Sequence, residues 1–195
     1  ATPPSIAQST DKRMSTIQTR QLWADGAPYQ VAGINYYPQQ SPWTQFWPRY
    51  DPQQSQIDLA RIRALGLNTV RIFISYADSG GAQVTPALRA KLSDFLHHAA
   101  AANLKVIVTL FDHHTNHHPA TWAADAQHLA TLIPYFADHP AILAWDIKNE
   151  PDRDYDYNTQ ALVDAWLRFV ARHVRWHDPN HLITIGWSTP EAAAA

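Results

Sequence analysis

Apolar and polar positions along this chain fall into blocks with two different periods. Leu22-Trp23-Ala24 and Ala27-Pro28-Tyr29 flank Asp25-Gly26, a dipeptide that seeds a tight hairpin turn. Tyr29 to Tyr37 then reads as a strand. Gln54 to Leu65 has a helical pattern stopped by Gly66, and Asn68 to Ile74 is the next strand. Pro86 to Asn103 places Leu88, Leu92, Phe95, Leu96 and Ala99 on one helix face, and Leu104 to Phe111 is an almost unbroken apolar strand. Ala124 to Ala137 reads as a helix that Pro134 should kink or end early. Ile142 to Ile147 is a strand. Thr159 to His177 is the clearest helix, with Leu162, Ala165, Trp166, Phe169, Val170 and His173 on one stripe. After the turn Asp178-Pro179-Asn180, Leu182 to Ile185 forms a fifth strand. Residues 1–20 are polar and rich in Pro, Ser and Thr, and read as a loosely held lead-in to a single domain over 21–195.

Strand and helix alternate throughout, which is the rhythm of a parallel sheet built from βαβ units. Strands that are apolar on both faces fit burial under helices. The pattern supplies five such units, whereas a closed barrel needs eight strands and about 250 residues.

Composition narrows the partners. The 195 residues are 46% hydrophobic and 16% charged, which is the make-up of a globular chain. A formal net charge of −2 gives no electrostatic case for nucleic acid or an anionic membrane. The absence of cysteine excludes disulfides and thiolate metal sites. No apolar run approaches the roughly 18 residues that span a bilayer. The chain opens on Ala1 without an initiator Met, which a removed signal peptide would explain and a cloned fragment would explain equally; a secreted or periplasmic location is the expectation. The 8 Trp and 8 Tyr serve core packing, and those left exposed offer flat faces on which a pyranose ring can stack.

The chemistry concentrates in Ala144-Trp145-Asp146-Ile147-Lys148-Asn149-Glu150-Pro151. An apolar strand ends in a polar pair, and Pro151 stops its continuation. In parallel α/β folds, ligands bind at the carboxyl ends of the strands. A carboxyl there is sited for proton transfer, and Asn149 can donate to a substrate hydroxyl.

This Asn-Glu-Pro ending resembles the fourth barrel strand of clan A glycoside hydrolases, especially the cellulase/mannanase family 5. The chain keeps step with that family from the strand Gly33-Ile34-Asn35-Tyr36-Tyr37-Pro38, through Asn68-Thr69-Val70-Arg71-Ile72-Phe73 and Val106 to His114, to Leu182-Ile183-Thr184-Ile185-Gly186-Trp187. The resemblance implies a (β/α)8 TIM barrel of which this chain carries about the first five units. It implies a retaining O-glycosyl hydrolase acting on a β-linked glycan, with no cofactor and no metal. Glu150 would be the acid/base, Asn149 would contact the sugar 2-hydroxyl, and Arg71 would brace the catalytic carboxylates. The third strand normally ends in a substrate-facing His, which leaves His113 and His114 both open, with Asp112 close enough to compete. Asn35 and Tyr37 on the first strand, Trp43 in the loop after it and Trp187 at the end of the fifth complete the expected substrate contacts. Trp47 shares the loop of Trp43 and reads equally as a packing residue. Trp145, Trp166 and Trp176 read as packing.

One departure matters. The family nucleophile is a Glu ending the seventh strand, and retention needs both carboxyls about 5 to 5.5 Å apart. Glu191 follows the fifth strand and lacks that context. The working protein is therefore expected to be longer, or to pair with a second chain that completes the barrel. Two other readings stay open: a carbohydrate-binding module that keeps the cleft without the chemistry, and a metal-dependent hydrolase using His113-His114-Thr115-Asn116-His117-His118.

Overall fold

A computed structural model describes residues 16–18 and 21–194. Of the expected lead-in, residues 1–15, 19 and 20 lie outside the described residues. Thr16–Gln18 is a strand (β1) paired antiparallel with Gln21–Ala24 (β2), which pairs in turn with Ala27–Pro28 (β3). The turn between β2 and β3 has positive φ at both Asp25 (53°) and Gly26 (78°), the conformation that Asp-Gly favours and that matches the twist of a hairpin. Lys105 donates to Asp25 at 2.7 Å and to the Pro140 carbonyl at 2.8 Å, which pins this hairpin beneath the main sheet.

The main sheet has five parallel strands in sequence order: Gly33–Asn35 (β4), Thr69–Ser75 (β5), Lys105–Asp112 (β6), Ile142–Asn149 (β7) and Leu182–Gly186 (β8). The helices Pro52–Ala64 (α1), Pro86–Ala101 (α2), Trp122–Leu132 (α3) and Gln160–His177 (α4) occupy the crossovers, and Pro190–Ala194 (α5) follows β8. The helix starts follow from their caps. Asp51 accepts from the backbone N–H groups of Gln53 and Gln54 with Pro52 in the first turn. Thr85 accepts from Leu88 N with Pro86 behind it, and Thr159 accepts from Leu162 N. As Pro134 dictates, α3 ends at Leu132 and the chain tightens into a 3-10 turn over Ile133–Tyr135.

The expected first strand is shorter than its pattern. Only Gly33–Asn35 pairs with β5, because the Asn68 side chain takes over the ladder before it. Its Oδ1 accepts from Ala32 N at 2.9 Å and its Nδ2 donates to the Gln30 carbonyl at 2.7 Å.

The core lies between sheet and helices. Val70, Ile72 and Ile74 of β5, Val106, Val108 and Leu110 of β6, and Trp145 and Ile147 of β7 pack against Leu92, Phe95 and Leu96 of α2 and Trp166 and Val170 of α4. Each such side chain removed from water contributes about 1.5–3 kcal/mol. The buried stripe of α4 is Val163, Trp166, Leu167, Val170 and Val174, rotated by about one residue from the sequence expectation. That rotation places Trp176 outside the stripe, and it is 83% exposed rather than packed. Trp145 and Trp166 are fully buried, as expected of packing residues.

The inner face of the sheet carries polar side chains among apolar ones such as Phe73 and Ile107. Alternation along the strands turns Asn35, Arg71, Thr109, Asp146 and Thr184 to the side away from the helices.

Candidate active site

The inner wall is organised around Arg71. From β5 its Nε donates to Asp146 Oδ2 at 2.9 Å and its Nη2 makes a shorter bond to the same oxygen, while Nη1 donates to Asn149 Oδ1 at 3.2 Å. Thr109, on the strand between them, donates to Asp146 at 2.7 Å. Burial pushes the Asp146 carboxyl up, against the opposing pull of Arg71 and Thr109. The guanidinium also lies 4.5 Å from the centre of the Phe73 ring. β8 must come close here: a Cβ on Gly186 would stand 3.1 Å from Arg71 Cζ and 3.3 Å from Asp146 Oδ2, so glycine is what fits. Arg71 therefore orients Asn149 directly. Among the described residues its hydrogen-bond and ion-pair partners are Asp146 and Asn149, and it makes no such bond to Glu150.

Glu150 stands at the carboxyl end of β7. Its N–H donates to the Gly186 carbonyl at 2.6 Å, and its backbone is left-handed with φ 49° and ψ 53°. That conformation costs a residue with a Cβ about 1–2 kcal/mol. Pro151 then opens a 3-10 turn over Pro151–Asp156. The Glu150 side chain is 38% exposed and accepts from Arg153 Nε at 2.8 Å.

Asp112 was named in the sequence as a competitor for the sugar contact, and a bulge brings it to the wall. Phe73 pairs with Thr109 but Ser75 pairs with Asp112, so β6 gains one residue and its facing switches. The Asp112 carboxyl joins the inner side, in the field of His113, Lys148 and Arg71. Burial pushes it up, and the neighbouring His113, Lys148 and Arg71 oppose the rise. Tyr37 stacks between Trp43 and Phe73, with ring centres 5.6 and 5.1 Å apart, and burial together with Asp112 raises its phenol. Trp43 is 65% exposed and offers its outer face to solvent. Trp47 is buried and donates to the Phe73 carbonyl at 2.7 Å, so it pins the loop. Asn35, Arg71, Thr69 and Ile107 line one groove of about 450 Å³ along this face.

Two expected substrate contacts lie elsewhere. β6 ends at Asp112, and the left-handed turn at His113 (φ 58°) takes His114 out of the strand to the helix side, where it packs on Tyr76, Phe111 and Trp166 and sits 3.3 Å from the buried Asp125. Trp187 continues the outward alternation of Ile183 and Ile185. With Tyr155, Asp164, Leu167 and Arg168 it lines a groove against α4 and α5. His113 remains on the rim, half exposed, 3.4 Å from Asp112.

The histidine run divides its work. His117 Nε2 donates to Asp154 at 2.6 Å, and His118 Nδ1 accepts from Ala120 N at 3.2 Å. Among the described residues, no three His, Cys, Asp or Glu side chains are grouped to hold a metal ion. The run is thus spread over separate partners. Asp146 was missed in the sequence. Its signal was an acidic residue set in the apolar stretch Ile142 to Ile147, matched by Arg71 within another strand.

The description "Cellulase (glycosyl hydrolase family 5)" matches residues 22–194. Mannan endo-1,4-β-mannosidase 1 of Oryza sativa subsp. japonica is 26% identical over 204 aligned residues, covering 83% of this chain and 46% of the rice protein. The putative mannan endo-1,4-β-mannosidase 4 of Arabidopsis thaliana is 41% identical over 51 residues, 26% of this chain and 12% of its own length. Among solved structures, the exo-β-1,4-mannosidase Op5Man5 from Opitutaceae bacterium strain TAV5 superposes with a TM-score of 0.78 at 22% identity, over 88% of this chain and 35% of that one. The endo-1,4-β-mannanase from Rhizomucor miehei does so with a TM-score of 0.70 at 18% identity, over 89% and 60%. The chain spans less than half the length of the rice relative. Its five-stranded sheet is part of a (β/α)8 barrel.

Proposed function

The chain belongs to the cellulase family of glycosyl hydrolases, family 5, and from that premise we propose that it carries the acid/base half of a retaining hydrolase for β-1,4-linked mannose-containing glycans. Glu150 gives its proton to the glycosidic oxygen as the C1–O bond breaks, and the leaving sugar departs as an alcohol. A second carboxylate takes C1 in a covalent bond. Glu150 then removes a proton from water as its oxygen displaces that carboxylate. The second carboxyl belongs to a later barrel strand; the five barrel strands among the described residues precede it.

One observation supports this reading above the others. Glu150 ends a barrel strand beside Asn149, and Asn149 is held by Arg71, itself fixed by the buried Asp146. Asn149 receives the sugar 2-hydroxyl, the Tyr37–Trp43 stack receives a pyranose face, and Asp112, His113 and Asn35 accept or donate to hydroxyls along the same wall. Mannan is the chosen substrate class because the curated relatives carry that activity in their names. A polymer of this kind is met outside the cytoplasm, which favours a secreted or periplasmic location.

Glu150→Gln in the full-length protein tests the reading. Turnover of β-1,4-mannan should fall by about 100-fold or more, the scale of a lost general acid, with the fold retained. Unchanged turnover of mannan, or of any other β-glycan that the wild type cleaves, would refute it.

A further inference from the structure

Glu150 sits in a left-handed backbone conformation that the chain does not adopt unaided, so its neighbours must hold it. Two anchors lie at the surface of the turn. The Glu150 N–H donates to the Gly186 carbonyl, and Asp152 accepts from Ser188 N at 3.0 Å. The third anchor is buried. Asp154, four residues beyond Glu150 in the same 3-10 turn, points inward and accepts from His117 Nε2 at 2.6 Å and from Lys148 Nζ at 3.0 Å. Asp154, His117 and Lys148 are all buried. Burial works against the Asp154 charge, yet the hydrogen bonds from His117 and Lys148 outweigh it and hold the carboxyl below its ordinary value.

These three residues come from three segments of the mouth. His117 lies in the loop after β6, Lys148 lies in β7 itself, and Asp154 lies in the turn that begins at Glu150. An apolar cluster of equal volume would serve stability as well as a buried ionic one. Directional bonds do what an apolar cluster does not: they fix which way the turn faces. With Asp154 drawn inward, Arg153 is turned to solvent, where it meets the Glu150 carboxylate from outside.

We propose that Asp154, gripped by His117 and Lys148, is a positioning residue that fixes the direction in which Glu150 presents its proton. The proposal rests on the acid/base reading of Glu150. It also gives part of the histidine-rich run a role: His117 supplies one arm of the grip.

The experiment uses the full-length protein and two substrates. In a β-1,4-linked manno-oligosaccharide the leaving alcohol needs a proton. In a 2,4-dinitrophenyl β-mannoside the phenolate leaves without one. The readout is kcat/KM, which reports the bond-breaking step. Asp154→Asn and His117→Leu should lower it about 10- to 100-fold on the oligosaccharide and less than about 3-fold on the aryl substrate, as a misdirected acid would. His117→Gln, which keeps an N–H donor, should retain more activity than His117→Leu on the oligosaccharide alone. If Asp154→Asn does not fold, the two His117 variants decide. Equal losses on both substrates, or no loss on either, would overturn the proposal. Glu150→Gln in the same assay separates the two readings. If it shows the leaving-group dependence while the Asp154 and His117 variants do not, positioning alone falls. If Glu150→Gln loses equally on both substrates, the acid reading itself falls.

Discussion

Arg71 and Asp146 meet across the inner wall of the sheet, one from β5 and one from β7, with Thr109 of the intervening strand donating to the same carboxylate. Asp146 is completely buried, so its charge depends on this partner. Arg71→Met should therefore destabilise the protein by about 3–5 kcal/mol, the cost of leaving a buried charge unpaired. Urea unfolding checks this. Asp146→Asn combined with Arg71→Met should recover part of the loss, because the uncompensated charge is gone.

Gly186 is the point where β8 passes over that ion pair. Gly186→Ala adds a Cβ that must push on the guanidinium, at a cost of about 1–3 kcal/mol typical of overpacking. The same push tilts Asn149 through Arg71. Activity should fall with stability, and thermal unfolding beside kcat/KM reads both.

Trp43 is exposed and rests on Tyr37 without supporting the core. Trp43→Ala should leave the unfolding midpoint nearly unchanged. It should raise KM for oligosaccharides by about 3- to 10-fold, the worth of one ring-stacking contact. Steady-state kinetics on oligomers of increasing length should place the effect in one subsite.

His128 sets a pH dependence of stability. Its Nδ1 donates to the Gly81 carbonyl at 2.7 Å, and burial holds its imidazole below the ordinary value. The unfolded chain takes up this proton near pH 6.5, about the ordinary histidine value, while the folded chain resists it. Stability from this group is present above that pH and is lost as pH falls toward the folded value. The melting temperature should drop between pH 7 and pH 5. His128→Phe should flatten that slope without abolishing it, since His139 and His177 are also depressed by burial.

At lower pH, Asp178 follows the same sign. Burial opposes its charge, but His181 and Trp145, donating at 2.5 and 2.7 Å, hold the carboxyl below its ordinary value. Its contribution is present above about pH 4 and is lost as pH falls through the folded value. Asp178→Asn should remove that part of the acid limb in an unfolding series.

Much of the fold was legible because periodicity reports burial. The apolar run ending at Phe111, the break at Pro134 and the turn at Asp25-Gly26 each carry their own physical reason, and the structure keeps all three. The end of β7 at Asn149-Glu150 was legible because Pro151 cannot extend a strand. The failures share a cause: facing depends on counts of one residue. The bulge in β6 brought Asp112 to the inner side and the left-handed turn at His113 took His114 out of strand alternation, and nothing in Leu110-Phe111-Asp112-His113 announces either. Trp187 was read from its nearness to a strand end, whereas its parity with Ile183 and Ile185 turns it to the helices. The Arg71–Asp146 pair was half seen, because pairing across an intervening strand is a fact of register rather than of local sequence.

The central claim is about direction: Glu150 must face the oxygen that leaves. The most direct measurement is a crystal structure of the full-length Glu150→Gln protein with an uncleaved β-1,4-manno-oligosaccharide. The amide at position 150 should lie within about 3 Å of the scissile glycosidic oxygen, with Asn149 on the neighbouring 2-hydroxyl. An oligosaccharide bound with that oxygen beyond reach of position 150, and the side chain still turned toward Arg153, would contradict it.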